Sequence, residues 1–400
     1  VVLYVADTQI SADDLIDDLG RVLAERYQGA EDELIREIAQ RAYRDLNLQE
    51  ALRVAQEADR AGLRYAINRN RQLAELAGHR AQTLRDLHAK ALQVVGRVRD
   101  ENLAQEIIDT ASERGEAEAA ARLGMAKKLP RTTTLTGSAN QAVAEVALSL
   151  QSRLEDLHLR ITRFPTDAYQ RIVSMTSPNV ILGATTQTLA QRETVQRFLA
   201  EGITGFQDES GRNWRIGSYA EMAGRTSVAR AFNDAGMWRM QQTGLNLVTP
   251  VGSLSSCARC APWVGKTLST DGTTGTVVLP HSSQEGSVTI RIDGTVDQAR
   301  AAGLGHPNCT HKFVAVIPGF KNPQAGFKYD ESAEKARERQ RAIEVEIRAA
   351  KRDLSVAATP AAEREARQDI KAAQAKLREH LAATGRKRNS KREQLAFADG

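Results

Sequence analysis

The segments 305-GHPNCTH-311 and 255-SSCARCAPW-263 together hold all three cysteines of this 400-residue chain. Cys257-x-x-Cys260 is a knuckle, a tight turn that can offer two thiolates to one ion. His306-x-x-Cys309-x-His311 offers a third thiolate and one imidazole at a matching spacing. Three sulfurs and one nitrogen complete a tetrahedral Cys3His zinc site. The predicted ligands are therefore Cys257, Cys260, Cys309 and His306, with His311 as the alternative fourth ligand. His306 is preferred because His-x-x-Cys mirrors the first knuckle. Gly305 and Pro307 shape its turn. Three cysteines cannot form a disulfide framework, and clustered Cys and His in a reducing compartment point to metal. The competing readings are three half-buried thiols beside ordinary polar histidines, or a redox pair. No thioredoxin-like βαβ pattern surrounds the pair.

Segments flanking the knuckles read as short strands: 245-LNLVTPVGS-253, 276-TVVLP-280, 287-SVTIRID-293 and 312-KFVAVIPG-319. Upstream, a β-hairpin is expected with Phe206 and Trp214 beside its turn, then a helix from about Ser218. This gives a compact α+β domain that also holds all three tryptophans, Trp214, Trp238 and Trp263, read as core anchors. Glu221, Arg225 and Thr226 are expected to form a buried polar network.

Further out the chain turns helical. Leu15, Leu19, Val22 and Leu23 recur at helical spacing after Ser11, a capping residue. Leu34, Ile35, Ile38 and Ala42 continue the pattern, and Leu73, Leu76, Leu84, Leu87 and Leu92 mark another helix. The stretch 126-AKKLPRTTTLTGSANQ-141 reads as a linker, and the helix after it is expected to be interrupted at Phe164-Pro165. Beyond Asp330, two apolar stripes run through Ile343, Ile347 and Leu354 and through Ile370, Leu377 and Leu381. They predict an αα-hairpin whose second helix starts at Thr359-Pro360 and ends at Gly385. The fold class is thus α+β and mostly α-helical. The expected domains are an N-terminal helical region over 1–125, a linker and helix over 126–162, a central α+β domain over 163–325, and a helical hairpin with a basic tail over 326–400.

Aromatic residues make up only 4% of the chain and charged residues 26%, which suits long polar-faced helices. The net charge is +5 and the pI about 9.1, a mild bias toward acidic partners. No apolar run is long enough to cross a membrane, and no membrane is required. The opening 1-VVLYVADTQISADD-14 lacks the basic and apolar regions of a signal peptide. The tail 386-RKRNSKR-392 clusters Arg386, Lys387, Arg388, Lys391 and Arg392. Such cations neutralise phosphates without reading bases, so the expected ligand is double-stranded DNA of any sequence; the bland reading is a solvated helix end.

The order of 204-TGFQDESGRNWRIGSYAEMAGRTSVARA-231, 250-PVGSLSSCARCAPWVGKTLS-269 and 305-GHPNCTHKFVAVIPG-319 resembles the phage minor capsid protein 2 family, related to the Mu F-like head morphogenesis proteins of tailed phages. The C-terminal stretches 329-YDESAEKARERQRAIEVEIRAAKRDL-354 and 376-KLREHLAATGRKRNSKREQ-394 are similar to members of the same group. The resemblance covers about residues 165–395. It implies an internal head protein at the portal vertex, with the portal protein as partner, possible contacts to major capsid or scaffolding protein, and proximity to packaged DNA. It implies residence in the virion interior and in host cytoplasm during assembly. It implies no enzyme.

Two enzyme classes compete. An HNH-type nuclease would use His306-Pro307-Asn308, but a strand-like segment rather than a helix follows. An ADP-ribosyltransferase-like effector would need a Glu-x-Glu turn, whereas Glu344-Val345-Glu346 falls in a predicted helix.

Overall fold

A computed structural model describes residues 12–60, 66–100, 102–124, 138–181, 195, 198, 206–207, 213–253, 256–357 and 359–394. Helices α1 (Ala12–Arg60), α2 (Ala66–Val98), α3 (Leu103–Leu123) and α4 (Ser138–Ile181) come first. Strands β1 (Phe206–Gln207) and β2 (Asn213–Trp214) pair antiparallel, and α5 (Ile216–Gln241) follows. Then come β3 (Leu247–Val251), β4 (Leu268–Ser269), β5 (Gly275–Pro280), β6 (Ser287–Ile292), β7 (Gly294–Thr295), α6 (Val296–Ala301) and β8 (Lys312–Ala315). Helices α7 (Glu331–Ser355) and α8 (Pro360–Thr384) close the chain before a 3-10 turn at Ser390–Glu393. The architecture is mostly helical with a small β region, as the sequence indicates. Ser11, the 126–137 part of the expected linker, and the side chains of Phe206 and Trp214 lie outside the described residues.

The chain forms two compact units. One comprises Val1–Ala24, Asp100–Leu154 and Ala220–Glu338; the other comprises Glu25–Arg99, Glu155–Tyr219 and Arg339–Gly400.

The first unit carries the sheet β7-β4-β3-β8, in which β3 runs antiparallel to β4 and β8 while β4 and β7 are parallel. Val248 pairs with Leu268 on one side and Ala315 on the other, and all three are fully buried. Central apolar strand positions meeting on one face make this core, which Met240, Ile292, Val296, Ile317, Cys260 and Cys309 complete. Trp263 packs against it, as an anchor would. Strands β5 and β6 form a separate antiparallel hairpin. Two-residue β4 and β7, and α6 with its reciprocal Thr295–Gln298 cap, carry too little periodicity to be read from sequence.

Glycines let α5 approach its neighbours closely. A Cβ on Gly115 of α3 would sit 2.1 Å from the Phe232 carbonyl oxygen, and one on Gly20 of α1 would sit 2.2 Å from Arg225 Cγ. Only a residue without a side chain fits such backbone contact. Arg225 is buried and pairs with Asp17 at 2.5 Å and with Glu221 at 3.5 Å. The expected network therefore forms around Arg225, but Thr226 turns elsewhere.

In the second unit, Leu157, Ile161, Ala168, Tyr169 and Ile172 of α4 are buried on both sides of Pro165. The expected interruption at Phe164-Pro165 does not occur. Proline removes one N–H, but burial of this continuous stripe outweighs the lost bond. The αα-hairpin forms as expected, with Ile343, Ile347, Ala373 and Leu377 as its core. Thr359 caps α8 by accepting the Ala362 amide at 3.2 Å, and Gly385 ends it in the left-handed conformation at φ 66°.

Candidate metal centre

The first knuckle folds as a tight turn between β3 and the 3-10 turn Ala261–Trp263. The amides of Cys260 and Ala261 donate to the Cys257 carbonyl at 3.0 and 2.9 Å. The second knuckle precedes β8, and its Cys309 amide donates to the His306 carbonyl at 2.9 Å. Asn308 takes the left-handed conformation at φ 64°, the one non-glycine residue to do so among those described. Asparagine tolerates it. Its amide donates to Thr226 Oγ1 at 3.1 Å, which fixes the turn against α5. Asn233, also on α5, donates to the His311 carbonyl at 3.0 Å and accepts the Phe313 amide at 2.8 Å.

These anchors bring the five predicted side chains into two triads rather than one group of four. Cys257, Cys260 and His306 form one triad and Cys260, Cys309 and His311 another; within each, the ligand atoms lie within 4.8 Å of one another. Cys260 belongs to both. The Cys260 and Cys309 sulfurs are 3.8 Å apart. A tetrahedral zinc with bonds of about 2.3 Å separates its sulfurs by about 3.8 Å. His306 Nε2 lies 3.1 Å from Cys257 Sγ, and His311 Nδ1 lies 3.3 Å from Cys309 Sγ.

The outer hydrogen bonds fix both imidazoles. His306 Nδ1 is 2.8 Å from the Pro307 carbonyl, which can only accept, so Nδ1 carries a proton. Ser256 donates its hydroxyl proton to the Ser253 carbonyl at 2.6 Å. Its oxygen therefore accepts from His311 Nε2, 2.9 Å away. Both histidines have the outer-sphere partner that metal-bound imidazoles use to set tautomer and orientation. The preference for His306 over His311 is not decided by position, since each lies against a different thiol.

The thiols are electrostatically linked. A hydrogen bond from Cys260 holds Cys309 down at about 4, and the same contact, reinforced by burial, pushes Cys260 up. This donor set of thiols and imidazoles fits a soft-to-borderline divalent cation that would join the two knuckles. Both Cys260 and Cys309 are buried, at 0% and 6% exposure. The segment after His306-Pro307-Asn308 is β8, not the helix that an HNH site requires. Glu344 to Glu346 lie within α7.

Sequence reasoning missed the supporting residues. Ser256 adjoins the first knuckle and was within reach of a local reading. Thr226, Asn233 and Glu334, whose carboxylate accepts the Ala258 amide, are distant in sequence and carry no pattern that marks them.

The basic tail is more structured than a solvated end. Arg388 makes two bonds of 2.6 Å to Glu393, itself buried, and Arg386 donates to Gln340 at 2.7 Å. Gln340 also donates to the Lys387 carbonyl at 3.2 Å, and Arg348 donates to the Arg392 carbonyl. Lys387 is exposed, and the Lys391 side chain lies outside the described residues. Local pairing of alternating charges explains the order. Among the described residues no helix is long and apolar enough to cross a membrane.

Comparison with curated proteins and with solved structures finds no match. The sequence profile of phage minor capsid protein 2 matches residues 12–382, spanning both units and the Cys/His cluster, and the chain belongs to that family.

Proposed function

We propose that this minor capsid protein is an internal, non-enzymatic component of the phage head whose α+β region is held by one structural zinc ion. Two Cys/His triads that share the buried Cys260 carry the metal assignment. Cys257, Cys260 and Cys309 would supply three ligands and His306 the fourth, with His311 as the alternative. A full set of protein ligands leaves no position for a substrate or activated water, which supports a structural rather than a catalytic ion. When bound, the ion supplies cohesion between segments that are otherwise joined by little secondary structure. Protein purified without added metal should contain near-stoichiometric zinc by elemental analysis. A metal-free protein with an intact α+β region would overturn the assignment.

Placement at the portal vertex rests on the order of the Cys/His and C-terminal motifs, which supports kinship with the Mu F-like head proteins. Long helices with polar outer faces suit docking on a ring of portal subunits, with major capsid or scaffolding protein as further neighbours. The basic C-terminal segment favours non-specific contact with packaged double-stranded DNA. Cross-linking of intact heads should recover links to the portal protein, whereas links confined to the outer shell would overturn this placement.

A further inference from the structure

We propose that Glu334 is a positioning residue of the metal centre, coupling occupancy of the first knuckle to order in the first turn of α7; this rests on the zinc reading above. Glu334 lies 76 residues from the knuckle in sequence, yet the Ala258 amide donates to both its carboxylate oxygens at 3.2 Å. Ala258 directly follows Cys257, so this bond fixes the backbone that aims the Cys257 thiol. The carboxylate is itself constrained from two other directions. Tyr329 donates its hydroxyl to Glu334, and Arg337 approaches it at 3.7 Å. Only 9% of Glu334 is exposed, so the amide bond is sheltered from water.

The same residue belongs to the start of α7. Asp330 opens this helix by accepting the Ser332 and Ala333 amides at 2.9 and 3.1 Å, and the Glu334 amide donates to the Asp330 carbonyl at 3.1 Å. A carboxylate in a first helical turn is favoured by the helix dipole. Here it also serves as the acceptor for a turn that would otherwise leave an amide unpaired. An acceptor that orients a ligand's own backbone acts as an outer-sphere partner does, and loss of such a partner costs about 10–100-fold in metal affinity. Linkage makes the effect reciprocal: if Glu334 strengthens zinc binding, zinc must strengthen the Glu334 contact and the helix start that carries it.

The test uses the full chain with zinc as the only added ligand. Apparent zinc affinity is measured by competition with a chromophoric chelator, and amide exchange is followed over residues 331–338 with and without zinc. Wild type should show slower exchange there when zinc is bound. Glu334→Ala should bind zinc about 10–100-fold more weakly and lose the zinc-dependent part of the protection. Glu334→Gln keeps one carbonyl acceptor and should restore much of both. Wild-type zinc affinity in Glu334→Ala, or exchange that quickens equally with and without zinc, would overturn the proposal and leave Glu334 as a helix-start residue only. A wild-type chain that binds no zinc would instead remove the metal reading, and this inference with it. If Glu334→Ala fails to fold, the wild-type chain still decides: exchange over residues 331–338 that is slower with zinc supports the coupling, and exchange that is the same with and without zinc overturns it.

Discussion

Asp45 and Cys309 are both almost fully buried, one in each compact unit, and their surroundings differ in kind. Asp45 receives Arg80 at 2.7 and 3.0 Å, Tyr169 at 3.0 Å and Gln49 at 2.5 Å, and Gln49 reaches Thr176 at 3.1 Å. Tyr27 likewise shares a hydrogen bond of 2.7 Å with the buried His158. At the Asp45 carboxylate, donors meet acceptors within the protein. Around Cys309, thiol and imidazole meet one another, with Cys260 Sγ at 3.8 Å and His311 Nδ1 at 3.3 Å. A buried polar group without a complement costs free energy; at Asp45 the complements are protein donors, whereas the Cys/His cluster gathers thiols and imidazoles in a donor set that fits a metal ion.

The largest expected effect breaks the comparison directly. Removal of zinc with a strong chelator, or Cys260→Ser, should collapse hydrogen-exchange protection across β3, β4 and β8 while leaving protection around Asp45 in α1 and Tyr169 in α4 largely unchanged. Binding free energies of structural zinc are about 10–16 kcal/mol in small zinc domains, comparable with the whole stability of a domain. Equal loss in both regions would show that the cluster has no local role; no loss in either would show that the thiols are self-sufficient after all.

Legibility in the sequence follows the range of the interactions. Knuckle spacing, the αα-hairpin and its Thr359 and Gly385 boundaries are local patterns, and each formed as read. The candidate ligands form two triads because the two knuckles flank paired strands, and the strand pattern itself was visible. The split between a His306 triad and a His311 triad was not visible, because the orientation of each imidazole depends on Ser256, Pro307 and a left-handed Asn308. The continuity of α4 through Pro165 was also hidden, since it depends on burial of side chains that the local proline signal opposes. Glu334 could not be read at all: its role depends on an amide 76 residues away.

Asp32 sharpens the comparison from the other side, as a buried carboxyl in the same unit as Asp45 whose surroundings do not complement it. It is buried, and its Oδ2 has no hydrogen-bond partner. Burial, then the neighbouring Glu31, lifts its pKa from 3.8 to about 7, against the opposing pull of Arg215, Arg352 and Arg36. A raised carboxyl pKa means that the folded chain holds the proton more tightly than the unfolded chain. The stabilisation is therefore full below pH 3.8 and is lost as pH rises toward about 7. Asp32→Asn mimics the protonated form and removes that loss. It should raise stability above pH 8 by on the order of 2 kcal/mol and change little near pH 4. Urea midpoints of both proteins at the two pH values test this, and a pH-independent difference would show that Asp32 is solvated or paired.

The smallest effect concerns the basic tail, where satisfied and unsatisfied charges lie within a few residues of each other. Arg388 is paired with the buried Glu393, so its charge is already balanced, and its removal strands a carboxylate. Lys387 is exposed and Lys391 is the other lysine of the cluster. If the segment contacts packaged DNA, these two lysines should carry the phosphate contacts, each releasing counterions. Replacing both with Gln should flatten the dependence of log affinity on log salt by about two, near 0.9 per contact, on random duplex DNA. Stability should hardly change, because exposed terminal charges contribute little to packing. Arg388→Gln should do the reverse: it should loosen the tail, seen as faster amide exchange over 386–394, with a smaller change in salt slope. An unchanged slope in the double lysine variant would assign any genome contact to another surface. A slope change as large in Arg388→Gln as in the lysine variant would mean that the Arg388–Glu393 pair opens when DNA binds, and that the internal ion pair and the phosphate contact are alternatives for the same guanidinium.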